Sequence, residues 1–306
     1  MRDVIVQTIL DKCMSVKKGE QVLLVTDDPI YELGGYFYRT AILMGYSISH
    51  LNISPVKIHG DEPPPVCAAA LKGSDVAILM TSKSLSHTKA RKDACKLSGT
   101  RIASLPSINL DILNRAIVLD YPALKESVDR ICALLDKGNT LEITTPAGTH
   151  LKMSIKGRKG FADHGLYSKR GAFGNLPAGE ACIAPVEGTA EGVLVVDGSA
   201  PLVGKIDKPV AITVRKGYAL DCPFPEIDGY IKKIGKQAYN IAELGIGVNP
   251  VAKITGVILE DEKVLGTAHM AIGNNKSFGG KVGCPCHLDF VFRAPEIFID
   301  EKLIKV

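Results

Sequence analysis

The chain has 306 residues, of which 46% are hydrophobic and 23% are charged, and its formal net charge is +4 at pH 7. This length is sufficient for two domains with separate hydrophobic cores, and the composition is that of an ordinary globular protein. The positive charge is spread along the chain, whereas nucleic-acid binding usually requires a concentrated basic patch, so we expect no nucleic-acid partner.

The apolar runs and the cysteines indicate in which cellular compartment the protein is expected. No apolar run reaches the roughly 20 residues that cross a bilayer, so we expect no membrane partner. The N-terminus lacks the apolar segment and cleavage site of a secretory signal, and we expect it to be mature as written. The eight cysteines are scattered, and Cys284-Pro285-Cys286 has no second cysteine pair at zinc-site spacing. Reduced thiols and a cytoplasmic location are therefore expected.

The first half of the chain alternates helical periodicity with short apolar runs. Predicted helices at 2–18 and 29–45 alternate with predicted strands at 21–26, 47–53, 76–80 and 101–105. Such alternation is typical of a parallel sheet with helices on both faces, so the predicted fold class is α/β, Rossmann-like or flavodoxin-like. No Gly-x-Gly-x-x-Gly follows the first strand, and a dinucleotide site is not expected here.

The pattern changes after a last predicted helix at 122–137. Period-two alternation on either side of a Pro-Ala-Gly turn predicts a β-hairpin over residues 141–155. Further strands are predicted at 193–196, 210–214, 252–257 and 297–299, with one helix at 230–240. The sequence therefore predicts an N-terminal α/β domain of residues 1–138 and a β-rich C-terminal metal-binding domain of residues 139–306.

Ionisable residues interrupt three apolar, glycine-rich segments of the second half. They are Glu243, His269 and the pair His287 and Asp289. Burying a charge is costly unless it is paired or bound to a metal. A strand places His287 and Asp289 on the same face, because their spacing is two. Each residue alone also fits a hydrogen-bonded structural role, but together they suit zinc, manganese, cobalt or iron.

The second half contains a series of motifs: Asn175–Glu180, Ala190–Gly192, Ala242–Pro250, Ile258–Glu262, Gly266–Gly273 and His287–Asp289. In this order they resemble the motifs of the aminopeptidase T and aminopeptidase S family of metallopeptidases. The resemblance implies a metal-dependent aminopeptidase, a hydrolase with a peptide substrate, acting as a homodimer. It also implies two zinc, cobalt or manganese ions that activate a shared water, with ligands Glu180, Glu243, His269, His287 and Asp289.

The catalytic roles implied by this resemblance fall on two residues. Glu180 would act as general base towards the metal-bound water. Lys276 stands where the family has a tyrosine ligand, and it would stabilise the oxyanion in place of that tyrosine. Because a lysine ammonium cannot ligate a metal unless it is deprotonated, a single metal ion is the alternative to two.

The segment from Gly279 to Asp289 also resembles the non-haem iron 2,5-dihydroxypyridine ring-cleaving dioxygenases, which share the fold. That resemblance implies one iron held by two histidines and an aspartate, here His269, His287 and Asp289. The carboxylates of Glu180 and Glu243 are not part of that pattern, and this chain has both. Aminopeptidase is therefore our main hypothesis, and the alternatives are a mononuclear iron dioxygenase and a catalytically inactive protein of the same fold.

Overall fold

The computed structural model describes residues 3–306, which form two compact units. The first unit extends to Tyr121 and also includes Gly165–Ala178, whereas the second comprises Pro122–His164 and Gly179–Val306. The chain therefore passes between the units more than once, and this division differs from the single limit at residue 138. Helical periodicity identifies the helix at 122–137 but does not reveal the core against which it packs.

The secondary structure is as follows. The helices are α1 (Asp3–Gln7), α2 (Tyr31–Leu43), α3 (Pro65–Lys72), α4 (Lys89–Asp93), α5 (Leu110–Ala116), α6 (Tyr121–Lys137), α7 (Pro225–Ile234) and α8 (Ile258–Asp261). The strands are β1 (Val22–Asp27), β2 (Ile48–Ile53), β3 (Val76–Met80), β4 (Arg101–Ser104), β5 (Thr140–Thr144), β6 (His150–Ser154), β7 (Phe161–Asp163), β8 (Phe173–Asn175), β9 (Glu180–Ile183), β10 (Glu191–Val196), β11 (Ser199–Ala200), β12 (Gly204–Lys205), β13 (Val210–Arg215), β14 (Tyr218–Ala219), β15 (Ile241–Gly247), β16 (Thr267–Gly273), β17 (His287–Arg293), β18 (Glu296–Ile299) and β19 (Lys302–Leu303). Short π-helical turns continue α1 through Thr8–Cys13 and α4 through Ala94–Ser98, and 3-10 turns lie at Asp28–Ile30, Lys236–Tyr239 and Lys276–Phe278.

The first unit contains a five-stranded parallel sheet in the order β2-β1-β3-β4-β8. The strands β1, β3 and β4 are buried along their whole length, as expected where helices cover both faces of a parallel sheet. Among residues 3–306, no helix combines the length and the apolar character needed to span a membrane. The predicted α/β fold class is confirmed.

The second unit is built from two seven-stranded antiparallel sheets. One has the order β14-β13-β10-β6-β5-β18-β19, and it includes the predicted hairpin as β5 and β6. The other has the order β12-β11-β17-β16-β15-β9-β7. Its central strands β15 and β16 are buried at every residue. The β-rich character predicted for this half is therefore confirmed.

Two local predictions in the second unit are wrong. Residues 252–257 form no strand, because side chains occupy the backbone amides there: Asp261 accepts from the amides of Thr255 and Gly256 at 2.7 and 2.9 Å. Such local bonds compete with a strand ladder. The predicted helix at 230–240 starts earlier as α7, and Gly235, with φ of 98°, separates it from the following turn.

Candidate metal centre

The ionisable side chains of the candidate site project from one face of the second antiparallel sheet. They are Glu180 and Cys182 on β9, Glu243 on β15, His269 on β16, and His287 and Asp289 on β17. The register aligns Gly245 with both Cys182 and His269. It also aligns Ala271 with both Glu243 and Asp289. Directly opposed residues point to the same face, so four neighbouring strands bring these side chains together.

Glycine and alanine fill the positions between the ionisable residues on that face. A Cβ added at Gly245 would lie 1.9 Å from Cε1 of His269, so the imidazole occupies the space that a side chain at residue 245 would need. A Cβ at Gly273 would lie 2.4 Å from the carbonyl oxygen of Cys286. The small residues therefore allow the larger ionisable groups to converge.

The histidine nitrogens approach the same two carboxylates. Nε2 of His287 lies 3.1 Å from Oε2 of Glu243 and 3.2 Å from Oδ1 of Asp289. Nε2 of His269 lies 3.8 Å from Oε1 of Glu243 and 3.8 Å from Oδ1 of Asp289. Ligands at about 2.1 Å from an ion are about 3.0 to 3.6 Å apart when their bonds meet at 90 to 120°. The four side chains are thus close to the spacing that one ion requires.

Supporting contacts fix the orientation of His287. Its Nδ1 lies 2.8 Å from the carbonyl oxygen of Asn274, so Nδ1 donates and Nε2 is directed at the carboxylates. Metal-binding histidines commonly have such a bond on the second nitrogen. The ring of Phe278 stacks on His287 with 5.3 Å between centroids, and Phe161 meets Phe278 edge to face at 6.1 Å.

Two buried carboxylate oxygens in the site lack a hydrogen bond. Within residues 3–306, Oε2 of Glu180 and Oε2 of Glu243 accept no hydrogen bond, and both residues are more than nine-tenths buried. A buried acceptor without a partner is costly. A divalent cation held with the histidines would satisfy the oxygen of Glu243, whereas Oε2 of Glu180 lies 3.7 Å from Nε2 of His269. The nitrogen and oxygen donors present suit zinc, manganese or iron. The residues therefore fit a metal ion.

A buried lysine, which sequence analysis did not identify, lies on the other side of Glu180. The side chain of Lys263 is fully buried, and its Nζ lies 2.5 Å from Oε1 of Glu180, 2.8 Å from Oε1 of Glu262 and 3.4 Å from Oδ2 of Asp163. These carboxylates raise the pKa of Lys263 well above its usual value, although burial opposes the charge. The ammonium is therefore a fixed positive charge at the edge of the candidate site.

The electrostatics separate the carboxylates into two pairs. Burial raises the pKa of Glu180, and it raises the pKa of Glu262 to about 8. The pKa values of Glu243 and Asp289 lie below their usual range instead; burial opposes ionisation there too, but contacts with the histidines outweigh it. The reciprocal contacts raise the pKa of His269 to about 9 against the effect of burial.

Three groups of donors within residues 3–306 could each hold an ion, with donor atoms within 4.8 Å of one another. The groups are Glu180, Cys182 and Glu243; Glu243, His287 and Asp289; and Glu262, His269 and Asp289. All five ligands predicted from the sequence thus belong to one cluster. Lys276 is exposed in a 3-10 turn, where its side chain lies against Gly283.

Comparison with known proteins gives the family of the chain. The model of the NicX family, described as 2,5-dihydroxypyridine 5,6-dioxygenase, matches residues 5–305. A relative, the 2,5-dihydroxypyridine 5,6-dioxygenase of Pseudomonas putida, is 24% identical over 252 residues, covering 77% of this chain and 70% of the relative. Both matches name a dioxygenase.

Two solved structures share the fold. The 2,5-dihydroxypyridine dioxygenase of Pseudomonas putida has a TM-score of 0.83 at 19% identity and covers 100% of this chain and 96% of its own. AmpT of Thermus thermophilus has a TM-score of 0.73 at 14% identity and covers 99% of this chain and 98% of its own.

These matches correct the main hypothesis. Aminopeptidase activity, the hydrolase class and the implied peptide substrate are wrong, because the family model and the relative both name an oxygenase. The likeness to AmpT shows the fold alone. The general-base role of Glu180 and the oxyanion role of Lys276 were implied by the peptidase mechanism, and they lose their basis with it. Since the family model matches almost the whole chain, the chain belongs to the NicX family, whose model is described as 2,5-dihydroxypyridine 5,6-dioxygenase.

Proposed function

We propose that this chain is an iron-dependent dioxygenase that opens a hydroxylated pyridine ring, with the ion held at the cluster of Glu243, His269, His287 and Asp289. The observation that carries the proposal is the family match over residues 5–305, whose model description names this reaction. The donor set supports it, since two imidazoles with carboxylate oxygens are the ligands that non-haem iron oxygenases use.

The reaction in the family description balances without another co-substrate. Both atoms of one dioxygen molecule enter the product while the bond between ring positions 5 and 6 breaks. A ferrous ion bound at the cluster would supply the electron transfer that lets dioxygen react with an electron-rich ring. Zinc, which has no redox chemistry, would not supply it.

The residues of the chain would hold the ion and orient the ring. His287 keeps Nε2 directed into the site through its bond to the carbonyl oxygen of Asn274. Glu243 and Asp289 each lie near both histidines, so these carboxylates and imidazoles would hold the ion together. Phe278, stacked on His287 and flanked by Phe161, offers an aromatic face beside a ligand, and flat rings pack on such faces.

The test is oxygen uptake by protein loaded anaerobically with ferrous iron and offered 2,5-dihydroxypyridine and its mono- and dihydroxylated analogues. We expect one dioxygen consumed for each ring whose ultraviolet absorbance is lost. The variant His287→Ala should lose this uptake, while His150→Ala should keep it, because His150 is an exposed histidine paired with Glu142. No oxygen uptake by the iron-loaded protein across the panel would refute the proposal.

A further inference from the structure

Lys263 is an ammonium enclosed by carboxylates in the interior of the second unit. Its side chain has no solvent exposure, and three residues surround Nζ: Glu180 on β9, Asp163 on β7 and Glu262 beside it in the chain. A lysine ammonium has three N–H donors and no acceptor. Each donor therefore has one carboxylate to bind. The ammonium is surrounded by carboxylates in the way that a bound metal ion would be.

The backbone fixes the position of this lysine. The carbonyl oxygen of Lys263 accepts a hydrogen bond from the amide of Asn249 at 2.7 Å, and its own amide donates to the carbonyl oxygen of Glu260 at 2.9 Å. A Cβ at Gly247 would lie 2.8 Å from the carbonyl carbon of Lys263, so the segment is in close contact with the end of β15. Lys263 therefore enters the cluster from a fixed main chain, not from a mobile loop.

Two of the three groups of metal donors contain a carboxylate that Lys263 already binds. Glu180 belongs to the group with Cys182 and Glu243, and Glu262 belongs to the group with His269 and Asp289. An ion in either group would have to share a carboxylate with the ammonium and would be repelled by its charge at short range.

The remaining group, formed by Glu243, His287 and Asp289, contains no carboxylate that is paired with Lys263. Nε2 of His269 lies 3.8 Å from the carboxylates of Glu243 and Asp289 and 3.7 Å from Oε2 of Glu180, the oxygen opposite the one that contacts Lys263. One ion position is therefore available beside the ammonium.

The geometry points to Lys263 as a built-in replacement for a second cation, so that the centre binds one metal ion, with Glu180 and Glu262 as partners of the lysine and not metal ligands. This inference rests on the proposed function, because it takes the cluster to be a metal site. Lys263 would then determine how many metal ions the centre binds, although it is not itself a ligand. The five ligands predicted from the sequence reduce to four, and Glu180 is the residue that changes role.

The experiment measures bound metal per chain by elemental analysis after saturation with cobalt or ferrous ions and removal of excess metal. Cobalt absorption during a stepwise titration gives an independent end point. We expect about one equivalent for the parent and for the control Lys276→Met. Lys276 is a suitable control because it is an exposed lysine in the second unit, which also contains Lys263. We expect about two equivalents for Lys263→Met, which removes the ammonium and leaves Glu180 and Glu262 available to an ion.

A second pair of variants keeps the inference testable if Lys263→Met does not fold. Glu180→Gln retains Lys263 with two of its carboxylates, so it should still bind one equivalent with an affinity within a few-fold of the parent. Glu243→Gln removes a ligand, and metal affinity should fall by at least about tenfold. Circular dichroism should show both variants to be folded.

The outcomes separate the two proposals. Two equivalents in the parent, or one equivalent in folded Lys263→Met, would overturn the role of Lys263 and leave the metal centre in place. If Glu180→Gln lost as much metal affinity as Glu243→Gln, Glu180 would be a metal ligand, and the role of Lys263 would again be overturned. No bound metal in the parent would refute the metal centre of the proposed function, and the inference with it.

Discussion

Replacement of Gly245 by alanine tests whether the imidazole of His269 must remain where the sheet places it. The new Cβ would lie 1.9 Å from Cε1 and 2.3 Å from Nε2 of that ring. To restore a contact of about 3.4 Å the ring must move by about 1.5 Å. Nε2, now 3.8 Å from the carboxylates of Glu243 and Asp289, then leaves the position from which it would bind the ion.

Gly245→Ala should weaken metal affinity strongly and lower the free energy of unfolding moderately. Displacing one ligand should weaken metal affinity by about 10- to 100-fold. Overpacking a buried strand should lower the free energy of unfolding by about 1–3 kcal/mol. Calorimetric metal titration measures the first quantity, and urea denaturation of the metal-free protein measures the second.

The control is Gly229→Ala, in helix α7, where an added Cβ meets no atom within 4 Å. It should leave metal affinity unchanged and raise the free energy of unfolding by about 0.5–1 kcal/mol, because alanine is the better helix former. If Gly245→Ala bound metal as tightly as the parent, the assignment of His269 as a ligand would be wrong.

Three further results are expected. Phe278→Ala should raise the KM for the ring substrate by about 2- to 12-fold with a smaller change in kcat, because stacking contributes about 0.5–1.5 kcal/mol. An unchanged KM in steady-state kinetics would show that Phe278 does not contact the substrate. Metal affinity should rise with pH at least as far as about pH 9, since below the raised pKa of His269 a proton competes for its ring nitrogen, and contacts with carboxylates raise the pKa of His287 as well, against the effect of burial. Affinity independent of pH in buffered titrations would contradict this. Glu187→Ala should lower the free energy of unfolding by about 2 kcal/mol, because Glu187 accepts hydrogen bonds from Arg158, Asn275 and the amide of Lys281. Although burial opposes its charge, those bonds lower the pKa of Glu187. The contribution of Glu187 to the free energy of unfolding is therefore present above its unfolded pKa and lost as the pH falls through its folded pKa. If Glu187→Ala lost equal stability at neutral and at strongly acid pH, this reasoning would be wrong. The homodimer implied by resemblance remains a prediction, which light scattering coupled to gel filtration can test.

The parallel sheet and the convergence of the ligands could be predicted because their causes are local. Apolar runs of strand length identified β1 and β3, and charged residues inside such runs identified His269 and the pair on β17. Once such strands pair with antiparallel neighbours, residues on the same face lie close together, so strand pairing alone explains the convergence of the ligands.

Lys263 could not be predicted in the same way. It follows Asp261 and Glu262, and a run of charges between two apolar segments is typical of an exposed turn. Its burial results from contact with Gly247 and with carboxylates distant in the chain, Glu180 and Asp163. Long-range packing of this kind leaves no periodic pattern in the sequence.

The reaction was predicted wrongly for a related reason. Histidine and carboxylate ligands on one fold can serve either hydrolysis or oxygen chemistry, and the ligand residue types do not distinguish them. The motif containing Glu180 therefore favoured the peptidase hypothesis, although the structure pairs that carboxylate with Lys263.

The first unit cannot be produced as one uninterrupted stretch of the chain. A fragment that stops at Tyr121 lacks β8, which bonds to β4 at the edge of the parallel sheet. The backbone groups of β4 then form an open edge, which is a template for aggregation. A Cβ at Gly165 would lie 2.4 Å from the ring of Tyr121, so the two ends are adjacent. Joining residue 121 to residue 165 through a short glycine linker therefore gives a single-chain version of this unit with its sheet complete, suited to separate expression and labelling.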